Sequence, residues 1–270
     1  VRRRGLVMGI GGVAGALLSG LFPYIINTLI PLYGWRLTYV ILGATLILVM
    51  LPLGWIFLRD RPEDHGLQPD GGTGNTDDKA GGAPLENNWT RAQALRTSAF
   101  WLVAAGLASM SMLNTGLTFH LFSVFKDSGL SSTVAASVFV PIAATAAIVQ
   151  LVGGLLIGRV PIRFLLSLSL LFMGLNLLLA PALDSLGMAY FFGVCMGVQG
   201  GLEMIVSSVI FANFFGRRHL GSIAGFASTL LVAASALGPM PIGVARDLLG
   251  SYGTVLGVFA FIPLTLAVAC

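Results

Sequence analysis

The sequence predicts an all-α integral membrane protein, and three observations support that prediction. Hydrophobic residues make up 56% of the 270 positions and charged residues only 10%, against roughly a quarter charged in ordinary soluble domains. The apolar residues form runs of the length that a membrane-spanning helix needs, about 20 residues. Most of these runs are joined by short turns, so a soluble bundle of such helices would have no polar outer layer.

Eight apolar runs are long enough to cross a bilayer. They cover Leu6–Leu32, Leu37–Leu58, Phe100–Phe125, Thr133–Ile157, Phe164–Leu183, Met188–Phe214, Ile223–Val244 and Thr254–Cys270. Pro141 and the Gly238-Pro239 pair lie inside two of the runs and predict kinks there, because proline cannot donate a backbone hydrogen bond.

One connection is long and divides the chain into residues 1–58, 59–97 and 98–270. Its central stretch, Asp70–Gly82, is polar and rich in glycine, a composition that cannot bury a core and that predicts a flexible linker. The stretch Trp89–Arg96 predicts a short helix at the membrane surface with Thr90 as its cap. Thr97 or Ser98 is expected to cap the span that follows.

The distribution of basic residues predicts the orientation in the membrane. If the chain starts in the cytoplasm, three basic residues face outside (Arg36, Lys126 and Arg246), and twelve face inside: Arg2, Arg3, Arg4, Arg59, Arg61, Lys79, Arg91, Arg96, Arg159, Arg163, Arg217 and Arg218. This asymmetry follows the positive-inside rule. We therefore expect a multi-pass protein of the plasma (inner) membrane with both termini in the cytoplasm.

Several other classes of protein and site do not fit the sequence. Cys195 and Cys270 lie in apolar runs without the spacing of a disulfide framework or a zinc site. The arginines are scattered between apolar runs, so the basic balance does not indicate nucleic acid as a partner. No glycine-rich phosphate loop with lysine is present, which disfavours an ATP-driven pump. We expect no cofactor and no metal, and a lipid bilayer as the surroundings.

The chain contains an internal repeat at an offset of 216 residues. The repeat pairs the first apolar run with the seventh and matches Arg2 with Arg218, Gly5 with Gly221, Gly9 with Gly225, Ser19 with Ser235, and Pro23 with Pro239. Sister helices six spans apart with the same orientation indicate two parallel repeats of six helices. The first run would then be the fifth helix of twelve, with four helices expected ahead of Val1.

Several motifs carry a family resemblance. The stretch from Gly154 through Gly158 and Arg159 to Arg163 resembles the degenerate second copy of the G-x-x-x-D-R-x-G-R-R loop of the major facilitator superfamily. Gly158 stands where that loop has an acidic residue. Four further stretches resemble the bacterial branch related to monocarboxylate and oxalate/formate transporters: Gly34–Arg36, Arg59–Gly71, Ala94–Trp101 and Phe215–His219.

The resemblance implies a twelve-helix fold of which this chain supplies helices five to twelve. Residues 1–58 would then be the last two helices of the N-terminal bundle, residues 59–97 a cytoplasmic linker, and residues 98–270 the C-terminal six-helix bundle. The implied activity is secondary active transport of a small organic solute by alternating access, as a symporter or an antiporter, and no enzymatic reaction.

Basic residues and glycines at the predicted cytoplasmic helix ends have two interpretations. Arg159, Arg163, Arg217 and Arg218 either anchor the topology through headgroups and terminal carbonyls or form gating contacts that bridge neighbouring helices. Gly154 and Gly158, in the loop of Arg159 and Arg163, are candidates for the same gating role. Glycine pairs four residues apart (Gly5 with Gly9, Gly221 with Gly225) allow close helix contact. In the superfamily such contacts lie where helices slide.

Ionisable residues inside spans are functional hypotheses by default, because their burial in a membrane is costly. Glu203 lies near the middle of the sixth run, with Gln199 one turn before it on the same face. It would load and release a proton, or else fix the helix through a hydrogen bond. His120, near the end of the third run, would be a proton relay, a substrate ligand or an interfacial residue.

Other polar residues in the runs are expected to line a solute pathway or to pack helices: Tyr24, Asn27, Asn114, Thr118 and Gln150. No lysine or arginine lies deep in a span, although carriers of the resembled branch pair such a cation with the substrate carboxylate. The solute is therefore either a carboxylate or a neutral or cationic compound. A sensor or scaffold of the same fold that transports nothing, and a membrane-embedded enzyme using Glu203 and His120, are the alternatives.

Overall fold

The computed structural model describes residues 4–57, 89–156, 159–216 and 218–269, without the side chains of most positions before Leu21 and of a few later ones. These residues form ten α-helices and one short 3₁₀ turn at Ala180–Ala182. The helices are α1 (Arg4–Phe57), α2 (Arg91–Ala94), α3 (Ser98–Asp127), α4 (Ser132–Ser137), α5 (Phe139–Leu156), α6 (Ile162–Leu179), α7 (Leu186–Phe215), α8 (Leu220–Leu237), α9 (Pro239–Leu249) and α10 (Tyr252–Ala269).

The all-α membrane fold is confirmed, since the described residues contain seven segments long and apolar enough to cross a bilayer. They are Thr28–Ile56, Ser98–Asp127, Ser132–Gly154, Ile162–Ala182, Leu186–Phe215, Leu220–Leu249 and Tyr252–Ala269. They correspond to the second through eighth predicted runs. The first predicted run, Leu6–Leu32, lies in α1 at positions whose side chains are mostly outside the described part, and the seven do not include it.

The boundary between the first two predicted runs differs from the expectation of a connecting turn. The chain continues as helix on both sides of Gly34, whose φ of 72° and ψ of 160° interrupt the helical geometry at one residue. Glycine takes this backbone conformation without the steric cost that a Cβ would bring. Thr38 then donates its hydroxyl to the Gly34 carbonyl at 2.8 Å. The predicted boundary is therefore a break in helical geometry and not a loop.

The two predicted proline kinks are both present as breaks between helices. Pro141 has no N–H to donate to the carbonyl of Ser137, and the helix ends at Ser137 before resuming at Phe139. Pro239 is the first residue of α9, directly after the end of α8 at Leu237. Proline is well tolerated in a first helical turn, where the N–H has no partner in any case.

The predicted surface helix is α2, and its cap is the one expected. The Thr90 hydroxyl accepts from the backbone N–H of Gln93, while the Gln93 side chain accepts from the Thr90 backbone, which completes a capping box. The Trp89 N–H donates to the Phe215 carbonyl at 3.1 Å, which holds α2 beside the end of α7. Thr97 caps α3 by accepting from the Phe100 N–H.

Helices α5 and α7 pack through a glycine seam on α7, formed by Gly193, Gly197 and Gly201. Val138, just before α5, and Pro141 lie beside Gly193, whereas Ile142 and Thr145 lie beside Gly197, and Ala146 and Val149 beside Gly201. Both series advance by four residues in the same direction, so the two helices run parallel. Small residues at this spacing let two backbones approach closely.

Helix α3 runs parallel to α8 and α9 and is joined to them by four polar contacts. Ser111 donates to the Leu231 carbonyl at 3.0 Å, and the Thr115 and Ser235 hydroxyls lie 2.8 Å apart. Further along, His120 contacts the Pro239 carbonyl and Arg246 contacts Asp127. Each pair is separated by 119 or 120 residues, so the register is constant across the α8/α9 break.

One predicted helix contact is not made by the described residues. A Cβ placed on Gly221 or on Gly225 would meet no heavy atom within 4 Å, so the pair does not pack against another helix. The close helix contact predicted for this pair is therefore not seen among the described residues. The Gly5 and Gly9 pair lies where side-chain surroundings are not described.

Candidate functional site

Glu203 and Gln199 form a hydrogen-bonded pair near the middle of α7. The Gln199 Nε2–H donates to Glu203 Oε2 at 2.7 Å, a contact that their spacing of one helical turn allows. Gln199 is fully buried, whereas Glu203 is partly buried and lies next to the exposed residues Met204 and Ser207. The pair therefore sits at the edge between the buried and the open faces of α7.

Helix α6 holds the Gln199 backbone in place. Ser169, itself fully buried, donates its hydroxyl to the Gln199 carbonyl at 3.2 Å and lies 3.2 Å from the Met110 sulfur of α3. These contacts join three helices at the level of the Glu203 pair. These contacts join residues far apart in the sequence and were not predicted, because a serine and a methionine are common residues in apolar runs.

Several buried side-chain polar atoms have no hydrogen-bond partner among the described residues. They are Gln199 Oε1, Gln150 Oε1, both amide atoms of Asn176, and Arg246 Nε. An unsatisfied buried polar group costs about 1–3 kcal/mol, so a water molecule or a ligand group is expected beside each. Asn176 on α6 was missed from the sequence, although an amide inside an apolar run is the signal that could have found it.

His120 joins α3 to both α9 and α10. Its Nε2 lies 3.0 Å from the Pro239 carbonyl oxygen, and its Nδ1 lies 3.1 Å from the Tyr252 hydroxyl. Since a carbonyl only accepts, Nε2 carries the proton, and in the neutral ring Nδ1 then accepts from the Tyr252 hydroxyl. Both ring nitrogens are thus engaged within the protein, which favours the structural interpretation of His120.

An open cavity of about 360 Å³ lies beyond His120, where α3 and α9 end and α10 begins. Arg246 and Asp127 approach to 3.4 Å on its wall, and the Arg246 guanidinium lies 5.6 Å from the centre of the Tyr252 ring. The Arg246 and Asp127 side chains are 40% and 38% exposed, so their ion pair stabilises the fold by at most about 1 kcal/mol.

Comparison with known protein families identifies the fold in which these sites lie. The model of the Major Facilitator Superfamily matches residues 1–239. The chain belongs to the major facilitator superfamily. It is accordingly a multi-pass membrane protein of a family whose members are generally transporters. A search of the curated proteins finds no match.

The other residues predicted to line a solute pathway are dispersed over this major facilitator chain. Asn114 is partly buried on α3, Thr118 is exposed on the same helix, and Gln150 is partly buried on α5. Tyr24 and Asn27 belong to α1, but their side chains lie outside the described part. Gln199 and Glu203 are the predicted pathway residues that the structure brings into contact.

The basic residues and glycines predicted to anchor or gate the cytoplasmic helix ends lie around the start of α6 and before α8. Gly154 is partly buried on α5, and Arg159 is exposed between α5 and α6. Arg163 is exposed in the first turn of α6 and lines a cavity of about 160 Å³ together with residues of α3 and α7. Arg218 is exposed just before α8. Gly158 and Arg217 lie outside the described residues.

Replacing Tyr252 with phenylalanine is expected to destabilise the fold by about 1 kcal/mol, because it removes the hydroxyl that His120 Nδ1 accepts from. The measurement is equilibrium unfolding of the purified protein in mixed micelles. Tyr190→Phe is the matched control, since Tyr190 is exposed on α7. Equal stability of the two variants would show that the His120 contact does not hold α10 in place.

Proposed function

We propose that this major facilitator protein is a secondary active transporter that moves a small organic solute by alternating access, coupled to protons through Glu203. The observation that carries the coupling is the contact between Glu203 and the buried Gln199 inside α7. In the described spans Glu203 is the acidic residue that lies far from a helix end, since Asp127 and Asp247 lie at the ends of theirs.

A carboxyl group at this position is suited to carrying a proton. A charged side chain at membrane depth is costly, so movement between a solvated and an enclosed surrounding changes which protonation state is favoured. Glu203 lies at the edge of the open face of α7, where alternating access would bring such a change of surrounding. Its protonation would then be linked to the direction in which the cavity opens.

The basic residues support a specific topology for this transporter. We propose that Arg91 and Arg96 beside α2, Arg159 and Arg163 at the start of α6, and Arg218 before α8 face the cytoplasm of a cell whose inner membrane holds the protein. Lys126 and Arg246 then face outside. The helices α3 to α10 form one bundle of six spans, and α1 belongs to the other bundle.

The class of solute is inferred from the charged residues inside the described spans. In the described spans, lysine and arginine lie near helix ends or, for Arg36, beside the break at Gly34, so a permanently paired carboxylate is not favoured as the bound form. The local resemblance to monocarboxylate and oxalate/formate transporters still supports small organic acids as the first compounds to test. A neutral or cationic metabolite is the alternative that an isolated glutamate favours.

Uptake into sealed vesicles containing the protein tests this proposal. A panel of radiolabelled small organic acids and neutral metabolites would be offered with and without an imposed proton gradient. We expect at least one compound to accumulate only with the gradient. Solute accumulation that is equal with and without the proton gradient would contradict proton coupling. Solute binding without transport would favour a sensor of the same fold.

A further inference from the structure

The side-chain amide of Gln199 uses its nitrogen in a hydrogen bond but not its oxygen. Its Nε2–H group donates to Glu203, whereas its Oε1 is buried and has no partner among the described residues. A carboxylate can only accept hydrogen bonds, so the ionised Glu203 requires the N–H side of the amide to face it. When Glu203 is ionised, the Gln199 Oε1 atom therefore remains available as a hydrogen-bond acceptor on the side of the amide away from Glu203.

Protonation of Glu203 adds a hydrogen-bond donor to a carboxyl group that otherwise only accepts. A proton taken from water on one side of the membrane adds to Glu203 Oε2, which then becomes an O–H donor. The Gln199 oxygen can accept from it only after the terminal amide rotates by half a turn. Terminal amide torsions are broad and two-fold, so the rotation keeps the contact with Glu203 and exchanges the free acceptor for free N–H donors.

We propose that Gln199 acts as a polarity switch, its amide rotating with the protonation of Glu203 so that the buried space beside the amide meets a hydrogen-bond acceptor in one state and N–H donors in the other. This inference rests on the proposed proton coupling and deepens it. Because Gln199 is fully buried in this structure, the switch reaches a solute only when a cavity opens beside this part of α7. The protonated pair then favours a solute with an acceptor oxygen, because it presents N–H groups and no charge. Release of the proton to water on the other side restores the acceptor and weakens the hold on that oxygen.

The surroundings of the pair leave Glu203 as the group that sets the polarity. Helices α4, α5 and α8, which pack on α7, have no ionisable side chain along their described lengths. Helix α6 contributes Arg163 in its first turn, beside Ile210 and Phe214, which are about two turns or more beyond Glu203. The ionisable residues of α3, namely His120, Lys126 and Asp127, lie near its other end.

Infrared difference spectroscopy tests the switch without knowledge of the solute. The protein would be reconstituted in vesicles, with its glutamine side-chain carbonyls labelled with carbon-13, and difference spectra recorded between acidic and alkaline buffers. We expect a protonated-carboxyl band in acid, together with a label-sensitive shift of one glutamine carbonyl band. Glu203→Gln should lose both signals. Gln199→Met should keep the carboxyl band and lose the glutamine shift.

The matched control is Gln150→Met, which removes another buried glutamine amide and should keep both signals. A carboxyl band that appears in acid without any glutamine shift would overturn the switch and leave proton coupling intact. A glutamine shift that persists in Gln199→Met would also overturn it, since another amide would be responsible. The vesicle uptake assay tests the proposed function separately, because uptake that is equal with and without a proton gradient would contradict proton coupling.

Discussion

Glu203→Gln is expected to abolish proton-driven accumulation while leaving solute exchange. Glutamine resembles the protonated carboxyl group in shape but cannot release a proton. A gradient of one pH unit stores about 1.4 kcal/mol per proton, which supports about a tenfold accumulation at one proton per solute. We expect that ratio to fall to about one in the variant, measured as internal against external radiolabel at steady state.

Two companion variants make the result specific to the Glu203 carboxyl group. Glu203→Asp keeps an ionisable group near Gln199 and should retain part of the accumulation. Asp184→Asn removes an exposed carboxyl group between α6 and α7 and should accumulate solute like the unchanged protein. Tenfold accumulation by Glu203→Gln would show that the proton travels by another route.

Gly197→Ala is expected to destabilise the packing of α5 on α7 by about 1–3 kcal/mol, the usual effect of overfilling a packed interface. Its new Cβ would lie 2.6 Å from the Ile142 carbonyl oxygen and 2.7 Å from the Thr145 Cβ. Backbone atoms cannot move aside as a flexible side chain can, so the two helices must separate. The measurement is equilibrium unfolding in mixed micelles.

Gly200→Ala is the control from the same helix. A Cβ at Gly200 would meet no heavy atom within 4 Å, and alanine favours helix over glycine by up to about 1 kcal/mol. Gly200→Ala should therefore equal or slightly exceed the unchanged protein in stability. If both variants unfold alike, the close approach of α5 and α7 at Gly197 contributes nothing to stability.

The spans and their breaks could be predicted from the sequence, because they depend on local chemistry. Hydrophobic length locates α3, α6, α7 and α10, and the missing N–H of proline predicts the breaks before Pro141 and at Pro239. The Thr90 capping box follows from residues three apart. The helical continuation on both sides of Gly34 could not be predicted, since Gly34-Trp35-Arg36 is equally compatible with a short turn.

The contacts of the candidate site also divide into those set by local sequence spacing, which could be predicted, and those set by the placement of helices, which could not. The pair of Gln199 and Glu203 follows from a spacing of four residues on one helix. The contact of His120 with Tyr252 joins residues 132 apart, and its existence depends on how α3 and α10 are placed relative to each other. The partner of each α7 glycine likewise depends on the register between α5 and α7, which could not be predicted from a single sequence.

Proton movement during solute uptake tests the central claim most directly. The pH of a weakly buffered external medium would be recorded while the accumulated compound is added to sealed vesicles containing the protein. We predict that the medium becomes more alkaline as solute enters, and that Glu203→Gln vesicles show solute exchange with no change in pH. Solute uptake by the unchanged protein with a constant external pH would contradict it.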